Sequence, residues 1–321
     1  MLHVKDLTIQ FQTDDGILTA ANGVSFSLHE GETLGLVGES GCGKSVTSMA
    51  IPRLVPQPPG RIVAGQILLD GTDLLQLPDR ELRQRRGRDI GVIFQEPMTA
   101  LSPLHRIGDQ LAETIRLHEP HTSRADARQR ALQWLRNVGI PAPESRLDAF
   151  PFELSGGMRQ RVMIAQALIL NPRLIIADEP TTALDVTIQA QILDLMRQMR
   201  GQHAALLLIT HDMGVVWDAC DRMVVMYASR IVESGPVRDV FRTPRHPYTR
   251  GLMDAIPALA RQARRLPHIP GQVPSLLHLP RGCAFAERCP YADDACRAAI
   301  PPLAPAPGAP DHLVACCHPL A

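Results

Sequence analysis

Eight consecutive residues carry the clearest chemistry in the sequence. They are Gly38, Glu39, Ser40, Gly41, Cys42, Gly43, Lys44 and Ser45, and they fit the pattern GxxxxGKS of a phosphate-binding loop. The glycines of such a loop let backbone N–H groups face phosphate oxygens, while the lysine reaches the outer phosphates and the serine holds Mg²⁺. A glycine-rich turn without a ligand is the plain alternative. The pattern predicts that this loop binds the phosphates of a nucleotide.

The flanking sequence supplies the elements that such a loop needs. Residues 33–37 form a short apolar run that is typical of a buried strand, and residues 46–51 predict a helix that Pro52 ends. A strand, a glycine loop and a helix in this order are the structural context of the motif. The helix N-terminus would add its dipole to the attraction for phosphate.

A pair of acidic residues follows a second apolar run. Residues 174–177 predict a buried strand, and Asp178 and Glu179 come directly after it. Parallel sheets bind their ligands at the carboxyl ends of strands. There an aspartate can hold Mg²⁺ and a glutamate can polarise a water molecule for attack on a phosphate. Many strands end in acidic residues, so this pair alone is a weak indication.

A second helix start also has the character of an anion site. Ser155, Gly156 and Gly157 precede a helix that is predicted over residues 158–170, and the N–H groups at such a terminus are available to an anion. One chain would then carry two phosphate-binding helix starts. This arrangement fits a nucleotide held between two subunits, each of which supplies one half of the site.

Composition narrows the class of protein. The 321 residues suggest one large domain with an addition, or two domains. Basic and acidic side chains balance at 33 each, so no overall field attracts nucleic acid. No stretch approaches the roughly 20 apolar residues that span a bilayer, and residues 1–6 lack the pattern of a signal peptide. We therefore expect a cytoplasmic protein, and docking on a membrane protein stays open at this point.

The order of apolar runs predicts an α/β fold. Strands are expected at 7–11, 24–28, 67–69 and 205–209, a hairpin at 224–227 and 230–233, and a helix at 186–200. Continuous apolar runs suit a parallel sheet that is covered on both faces. Proline becomes frequent from about Pro244 onwards, which predicts an irregular extension with little helix or strand.

Four further residues complete a resemblance to a known family. Gln95, Asp185 and His211 each follow a short apolar run at the positions where ATP-binding subunits of ABC transporters keep their Q-loop, D-loop and switch histidine. Phe11 lies where that family keeps an aromatic ring that stacks on adenine. Each residue has a plain structural explanation in isolation. The ordered set favours function for the first three, and Phe11 stays balanced between a core residue and an adenine platform.

The resemblance implies a fold and a domain organisation. The fold is a P-loop NTPase of the ABC type, with a mostly parallel core sheet, an antiparallel β subdomain and a helical subdomain inserted at about residues 97–170. The ATP-binding domain would span residues 1–243, and a cysteine-rich, irregular extension would span 244–321.

The resemblance also implies the roles of single residues. Glu179 would be the general base, His211 would steady the γ-phosphate, and Gln95 would sense the metal ion and the attacking water. The remaining ATP contacts would come from Phe11, the loop 38–45, Asp178, Asp185 and the Ser155, Gly156 and Gly157 of a partner subunit, with Ser45, Gln95 and Asp178 serving Mg²⁺.

Other runs indicate a branch of the family. Residues 94–103 resemble the Q-loop of peptide and nickel importers, with Ser102 in place of the usual asparagine, and residues 246–249 resemble the start of the C-terminal extension of that branch. The expected function is ATP hydrolysis that drives dipeptide or oligopeptide import at the cytoplasmic face of the inner membrane. The alternatives are import of nickel or a metal–chelator complex and, less favoured, a soluble ABC ATPase. An exporter is disfavoured because no membrane domain is fused to the chain.

The same resemblance implies a set of partners. They are a second, similar ATPase in a heterodimer, two membrane permease subunits, and an external solute-binding protein that acts through the permeases. Nucleic acid is not expected as a partner.

Five of the seven cysteines lie after residue 280. Disulfides are unusual in a reducing compartment, so this clustering predicts a metal or cluster site. The cysteines lack the close pairs that are common in zinc modules, and unliganded thiols are the alternative. The resemblance to peptide importers implies a [4Fe–4S] cluster on Cys283, Cys289, Cys296 and Cys316.

Several questions about the cysteines stay open at this point. Cys317 could compete with Cys316 as a ligand, and zinc is the alternative metal, with His312 or His318 as outside candidates. A structural clip that orders the extension is favoured over a redox sensor as the role of the cluster.

Overall fold

The computed structural model describes residues 1–180, 186–199, 201, 203–256 and 268–321. The chain divides into two compact units. Residues 1–76 and 208–321 form the first unit, and residues 77–207 form the second. Both units mix helices with strands, in agreement with the predicted α/β class. The predicted boundary between residues 243 and 244 stays a prediction.

Twelve strands are described in the chain. They are β1 (Leu2–Thr13), β2 (Gly16–Leu28), β3 (Thr33–Val37), β4 (Gly60–Leu69), β5 (Thr72–Asp73), β6 (Ile90–Ile93), β7 (Leu174–Asp178), β8 (Ala205–Thr210), β9 (Arg222–Tyr227), β10 (Arg230–Pro236), β11 (Ala304–Ala306) and β12 (Ala309–Val314). Every strand predicted from the apolar runs is present, and most are longer than predicted. The structure thereby confirms the strand predictions.

Twelve α-helices are described as well. They are α1 (Lys44–Ala50), α2 (Asp79–Arg85), α3 (Pro97–Ala100), α4 (Ile107–His118), α5 (Arg124–Asn137), α6 (Pro143–Arg146), α7 (Gly156–Leu168), α8 (Val186–Met199), α9 (Met213–Ala219), α10 (Val237–Arg242), α11 (Pro247–Asp254) and α12 (Asp294–Ala298). A 3-10 turn covers Pro151–Glu153. In the described part of the chain, no helix is both long and apolar enough to cross a bilayer.

The first unit contains an antiparallel sheet of strand order β2-β1-β4-β5. Strand β1 pairs with β2 on one side and with β4 on the other. Val4, Leu7 and Ile9 of β1 are buried, and two irregularities in the register separate them. This sheet is the predicted antiparallel β subdomain, and it places Phe11 near the end of β1, opposite Leu18.

A second set of strands in the first unit has the order β11-β12-β10-β9-β3. Strand β3 runs parallel to β9, from Leu34 opposite Arg222 to Val37 opposite Val225. All five residues of β3 are buried, as expected for a strand that is covered on both faces. Strand β3 therefore gives the phosphate loop a rigid starting point.

The second unit contains the helical region that the sequence predicts. Helix α4 buries Ile107, Leu111 and Ile115 along one face, which is the spacing of an amphipathic helix. Strands β6 and β7 run parallel, from Ile90 opposite Leu174 to Ile93 opposite Ala177. Their carboxyl ends therefore lie at the same edge, where the chain continues into Gln95 and Glu179.

The C-terminal extension is more regular than predicted. Its strand β12 pairs antiparallel with β10, and its strand β11 pairs with β12. Proline lacks the N–H that a central strand donates, but an edge strand tolerates it, and Pro305 lies in β11 at the end of the strand order. The frequent prolines therefore led to the prediction of an irregular chain where the structure has an edge strand.

Candidate functional site

The phosphate loop joins β3 to α1 in the first unit. Gly38 has φ +149°, and a Cβ there would lie 2.2 Å from the carbonyl oxygen of Met226. Gly43 has φ +101°, and a Cβ there would lie 1.9 Å from the carbonyl oxygen of Ala20. Both positions therefore require glycine for two reasons, backbone conformation and lack of space.

The side chain of Lys44 folds back onto the phosphate loop to which the residue belongs. Its side chain is buried, with 4% of the residue exposed, and its Nζ donates hydrogen bonds to the carbonyl oxygens of Gly38 (2.8 Å) and Glu39 (3.0 Å). These neutral acceptors leave the ammonium charge without a counter-charge from the loop. Phosphate oxygens are stronger acceptors for such a cation, so the loop is suited to receive a phosphate chain.

The other members of the loop divide between its surface and its interior. Ser40 and Gly41 are exposed, whereas Ser45 is half-buried at the start of α1. Cys42 is fully buried, and this burial raises the pKa of its thiol. Cys42 is therefore a small packing residue of the loop, and its neighbours supply the polar groups.

Sequence reasoning missed two residues that hold the loop from the extension. Tyr248 Oη accepts a hydrogen bond from the N–H of Glu39 at 2.8 Å. Arg288 donates two hydrogen bonds to the carboxylate of Glu39, at 2.8 and 3.1 Å. Sequence separations of 209 and 249 residues leave no local pattern that could have indicated these contacts.

In the second unit, the ends of β6 and β7 bring two predicted catalytic residues together. Gln95 Nε2 donates a hydrogen bond to Glu179 Oε2 at 3.1 Å. Asp178 is buried as the last residue of β7, and Glu179 follows with φ +45°, a left-handed conformation that is uncommon outside glycine. Such backbone strain occurs most often at functional sites. The amide and the carboxylate can jointly hold a water molecule.

The helix predicted over residues 158–170 is α7, which begins two residues earlier than expected. Ser155 is its N-cap, and its Oγ accepts a hydrogen bond from the N–H of Met158 at 3.4 Å. Ser155 and Gly156 are exposed, and a Cβ at Gly156 or Gly157 would meet no atom within 4 Å among the described residues. This helix start therefore presents backbone to its surroundings.

Three further predicted nucleotide contacts are Phe11, His211 and Asp185. Phe11 is half-buried in β1, and its ring is close enough to Gly60 that a Cβ there would lie 2.9 Å from it. His211 is exposed directly after β8. Asp185 falls outside the described residues. The roles of all three stay predictions.

The clustered cysteines converge within the first unit. The cysteine pocket is defined here by the residues Cys283, Cys289, Cys296, Cys316, Cys317, His246 and His318 that line one cavity. The N–H of Cys283 donates to the carbonyl of Cys296 at 2.8 Å. All seven cysteines of the chain are free thiols. The fold therefore brings together all four predicted cluster ligands and also Cys317.

The thiols of the cysteine pocket influence one another. Burial is the main cause that raises the pKa of Cys283, and the nearby Cys296 and Cys289 raise it further. Burial likewise raises the pKa of Cys316 to about 11. Metals bind thiolates, and a bound cation reverses such shifts by deprotonating the thiol. A bound cation would therefore convert these thiols into thiolate ligands.

His246 in the cysteine pocket has a ring nitrogen without a hydrogen-bond partner. Its Nδ1 accepts the N–H of Tyr248 at 3.1 Å, so the neutral ring carries its proton on Nε2. His246 is 1% exposed, and its buried Nε2 has no partner among the described residues. Burial lowers its pKa to about 4. A buried donor of this kind indicates that an acceptor belongs beside it.

The two outside candidates of the sequence behave differently. His312 Nε2 lies 2.6 Å from Glu233 Oε1 in a buried pair. His312 therefore links β12 to β10. His318 lies in the cysteine pocket, 2.9 Å from Asp293. Together with Cys296, these two residues place three metal-ligating atoms within 4.8 Å of one another. Asp293 is a candidate ligand that sequence reasoning missed.

Two family models match the chain. A model described as ABC transporter matches residues 21–182. A second model, described as oligopeptide/dipeptide transporter, C-terminal region, matches residues 232–296. The second match includes the stretch from β10 to α12, and so covers three of the four predicted cluster ligands.

Curated relatives match almost the whole chain. A probable peptide ABC transporter ATP-binding protein of Sinorhizobium fredii is 51% identical over 318 residues, covering 98% of this chain and 94% of the relative. The oligopeptide transport ATP-binding protein OppD of Escherichia coli is 48% identical over 321 residues, covering 100% and 94%. OppD of Bacillus subtilis is 52% identical over 294 residues, covering 91% and 82%.

The fold also matches solved structures. The ATP-binding cassette MJ0796, in a dimeric post-hydrolysis state bound to ADP and phosphate, aligns with a TM-score of 0.66 and 28% identity. The alignment covers 74% of this chain and 99% of that chain.

Proposed function

The chain belongs to the ATP-binding proteins of the ABC transporter family and is an ATPase, and from this premise we propose that it drives peptide import at the cytoplasmic face of the membrane. The observation that carries the proposal is the extension. Residues 232–296 match the C-terminal region of oligopeptide/dipeptide transporters, and relatives named for peptide transport match along nearly the full length.

In the proposed mechanism, each predicted residue has a defined task in hydrolysis. Lys44 exchanges its carbonyl acceptors for the outer phosphates of ATP, and the loop N–H groups bind the remaining oxygens. Glu179 takes a proton from the attacking water, which Gln95 orients through its hydrogen bond to the same carboxylate. Ser45 and Asp178 would hold Mg²⁺, which neutralises charge on the phosphate oxygens. His211 steadies the γ-phosphate.

Replacement of the proposed base tests this mechanism. Glu179→Gln keeps the size and the hydrogen-bonding ability of the side chain but removes its ability to accept a proton. We expect ATP binding to persist and turnover to fall by about 10² to 10⁴. Nucleotide affinity and phosphate release measured on the same preparation check this result. Near-normal phosphate release would exclude Glu179 as the base.

Uptake experiments test the cargo. Cells that lack other peptide systems would be given a labelled dipeptide, with either the wild-type protein or Glu179→Gln, and uptake should depend on the wild-type protein. The same cells would be given nickel and a metal–chelator complex. Loss of metal uptake with unchanged peptide uptake would move the function to the alternative branch.

The proposed partners follow from the exposed half of the nucleotide site. Ser155 and Gly156 present an exposed helix start, which suits contact with a nucleotide on a second ATPase. We propose that this second ATPase is a similar but distinct chain, that the pair docks on two permease subunits, and that an external solute-binding protein delivers the peptide to them.

The proposed occupant of the cysteine pocket is a [4Fe–4S] cluster. Four thiols converge there, and the orphaned Nε2–H of His246 supplies a donor that a cluster sulfide or a thiolate ligand would accept. The donor set and the orphaned N–H are the observations that support this proposal. Cys283, Cys289, Cys296 and Cys316 would hold it, and when bound it would clip the turns of the extension together.

Metal analysis of anaerobically purified protein tests the cluster. We expect iron and acid-labile sulfide in the wild-type protein, their loss in Cys316→Ser, and their retention in the matched control Cys317→Ser. Loss of iron in Cys317→Ser with retention in Cys316→Ser would show that Cys317 is the ligand in place of Cys316. Zinc without sulfide, lost in His318→Ala, would instead support a site made by Asp293, Cys296 and His318, whose ligand atoms lie within 4.8 Å.

A further inference from the structure

Three polar groups of Glu39 in the phosphate loop, the N–H, the carbonyl oxygen and the carboxylate, each have a hydrogen-bond partner. Its N–H donates to Tyr248 Oη at 2.8 Å, and its carbonyl oxygen accepts from Lys44 Nζ at 3.0 Å. Its carboxylate accepts both arms of the Arg288 guanidinium, at 2.8 and 3.1 Å. Two of these three contacts come from the extension, so the extension fixes the residue that directly contacts the phosphate-binding lysine.

Arg288 is itself fully engaged. Besides the two bonds to Glu39, its guanidinium donates to the carbonyls of Pro270 (2.9 Å) and Ile269 (3.3 Å) and to Tyr227 Oη (3.2 Å). The Arg288 side chain is 4% exposed, whereas that of Glu39 is 30% exposed. All five N–H groups of a guanidinium are thus satisfied. A side chain with this many fixed partners has one orientation and not several.

The backbone of Arg288 is part of a turn that carries cysteines of the cysteine pocket. It directly precedes Cys289, and its N–H donates to the carbonyl of Phe285 at 2.9 Å within the turn that begins at Cys283. The Phe285 ring packs edge-on against Tyr227, with centroids 5.2 Å apart. Any change that disorders this turn therefore changes where the guanidinium lies.

Electrostatics indicates the consequence for the nucleotide. With Arg288 in place, the negative charge of Glu39 is paired. Without Arg288, a carboxylate without a counter-ion stands next to the loop that receives the phosphates, and like charges repel. Loss of the pairing should therefore weaken the binding of phosphate by the loop.

We propose that Arg288 is a positioning residue of the nucleotide site, and that through it the state of the cysteine pocket sets the affinity of the phosphate loop for ATP. The first half rests on the contacts to Glu39. The second half rests on the proposed metal occupancy of the cysteine pocket. Arg288 touches neither the nucleotide nor the metal in this role and acts by neutralising and orienting Glu39.

Nucleotide dissociation constants of the full-length chain test the first half. We expect Arg288→Gln to bind ATP about tenfold more weakly than the wild type, and Arg288→Lys to recover part of the loss. The double variant Glu39→Gln with Arg288→Gln should return close to wild-type affinity, because no unpaired carboxylate remains. The matched control is Arg297→Gln, whose exposed side chain pairs at 3.8 Å with Asp294 in the same extension.

The melting temperatures of the same variants distinguish a positioning role of Arg288 from a purely structural role. Loss of packing alone would lower the melting temperature, and the second substitution would not restore affinity. Unchanged ATP affinity in a folded Arg288→Gln variant would overturn the proposal, as would a double variant that is weaker than either single variant.

A double-mutant cycle between Cys296 and Arg288 tests whether the cysteine pocket acts on the phosphate loop through Arg288. Cys296→Ser should weaken ATP binding in the wild-type background and have no further effect in the Arg288→Gln background. Additive losses would overturn transmission through Arg288. Metal content of the same samples reports on the cluster separately: a metal-free wild type with an intact Arg288 effect would refute the cluster and still support the positioning role.

Discussion

At the scale of single residues, the phosphate loop depends on glycines that the surrounding strands leave no room to replace. Gly38 faces the carbonyl of Met226 in β9, and Gly43 faces the carbonyl of Ala20 in β2. These contacts are between backbone atoms, which cannot rotate away as a side chain can. The loop is therefore fitted to the strands on which it lies.

Gly38→Ala should destabilise the protein by about 3 kcal/mol or more, because the new Cβ would lie 2.2 Å from a backbone oxygen at φ +149°. Urea unfolding of the variant and the wild type measures the difference. Gly201→Ala is the control, because a Cβ at Gly201 meets no described atom within 4 Å. Equal losses in both variants would contradict the argument.

His246→Asn tests the orphaned donor of the cysteine pocket. Asparagine can still cap α11 but lacks Nε2–H. Hydrogen bonds to the sulfur atoms are among the factors that set the reduction potential of an iron–sulfur cluster, so we expect a lower potential for the cluster in this variant. Potentiometric titration followed by electron paramagnetic resonance gives the value. An unchanged potential would exclude a hydrogen bond from His246 to the cluster.

The sequence could predict some of these residues and not others. The phosphate loop, Gln95 and Glu179 are recognisable because each lies in a contiguous motif next to an apolar run. Arg288 has no such signal, because its partner Glu39 is 249 residues away. His246 belongs to a recognisable run, but the unpaired state of its Nε2 depends on the packing of the whole extension.

At the scale of elements, the extension is joined to the sheet by β12. Its backbone continues the pairing with β10, and Ala315 donates an N–H to Val232 at 2.9 Å. Glu233 of β10 is fully buried and accepts hydrogen bonds from His312 of β12 and from the N–H groups of Arg245 and His246. One carboxylate thus fastens the strand to the start of α11.

Glu233→Gln should lower the free energy of unfolding by about 2 to 4 kcal/mol. The amide nitrogen of glutamine cannot accept, so at least one of the buried N–H groups around it loses its acceptor. Chemical denaturation measures the loss. Glu287→Gln, at an exposed position of the same extension, should change stability by less than about 0.5 kcal/mol. A comparable loss at both positions would show that the buried network contributes little.

Sequence periodicity predicts the strands that are buried on both faces and misses strand β11 at the end of the second strand order. Strands β3, β7 and β8 are wholly buried, and their continuous apolar runs reveal them. Strand β11 contains proline and two exposed residues, so composition favours an irregular chain. The alternation of apolar residues by which a strand is recognised cannot develop in three residues of this kind.

At the scale of the whole molecule, each unit carries residues that are predicted to act on a nucleotide, and in the proposed assembly a second chain shares the nucleotide. The first unit holds the phosphate loop and the cysteine pocket, and the second holds the Gln95–Glu179 pair and the exposed Ser155. The pattern of motifs predicts that two chains share the nucleotide. It cannot identify the second chain, because a partner leaves no residue in this sequence.

Association in the presence of ATP tests the partner. Glu179→Gln traps bound ATP, so with the similar second ATPase present it should form a dimer, whereas alone it should stay monomeric. Light scattering coupled to size exclusion gives both masses. Lys44→Ala, which cannot grip the phosphates, is the control and should not associate in either case. A dimer of Glu179→Gln alone would establish a homodimer and refute the proposed heterodimer.

The way in which residues 1–76 pack with residues 208–321 has a consequence for synthesis. At roughly 5–20 residues per second, a ribosome needs on the order of ten seconds to make the segment between them. The phosphate loop emerges early, but Tyr248 and Arg288, which hold Glu39, emerge much later. A nascent or prematurely terminated chain therefore carries the loop without its supports. Under the proposed role of Arg288, such fragments would bind ATP weakly, so tight nucleotide binding would mark a chain translated past Arg288.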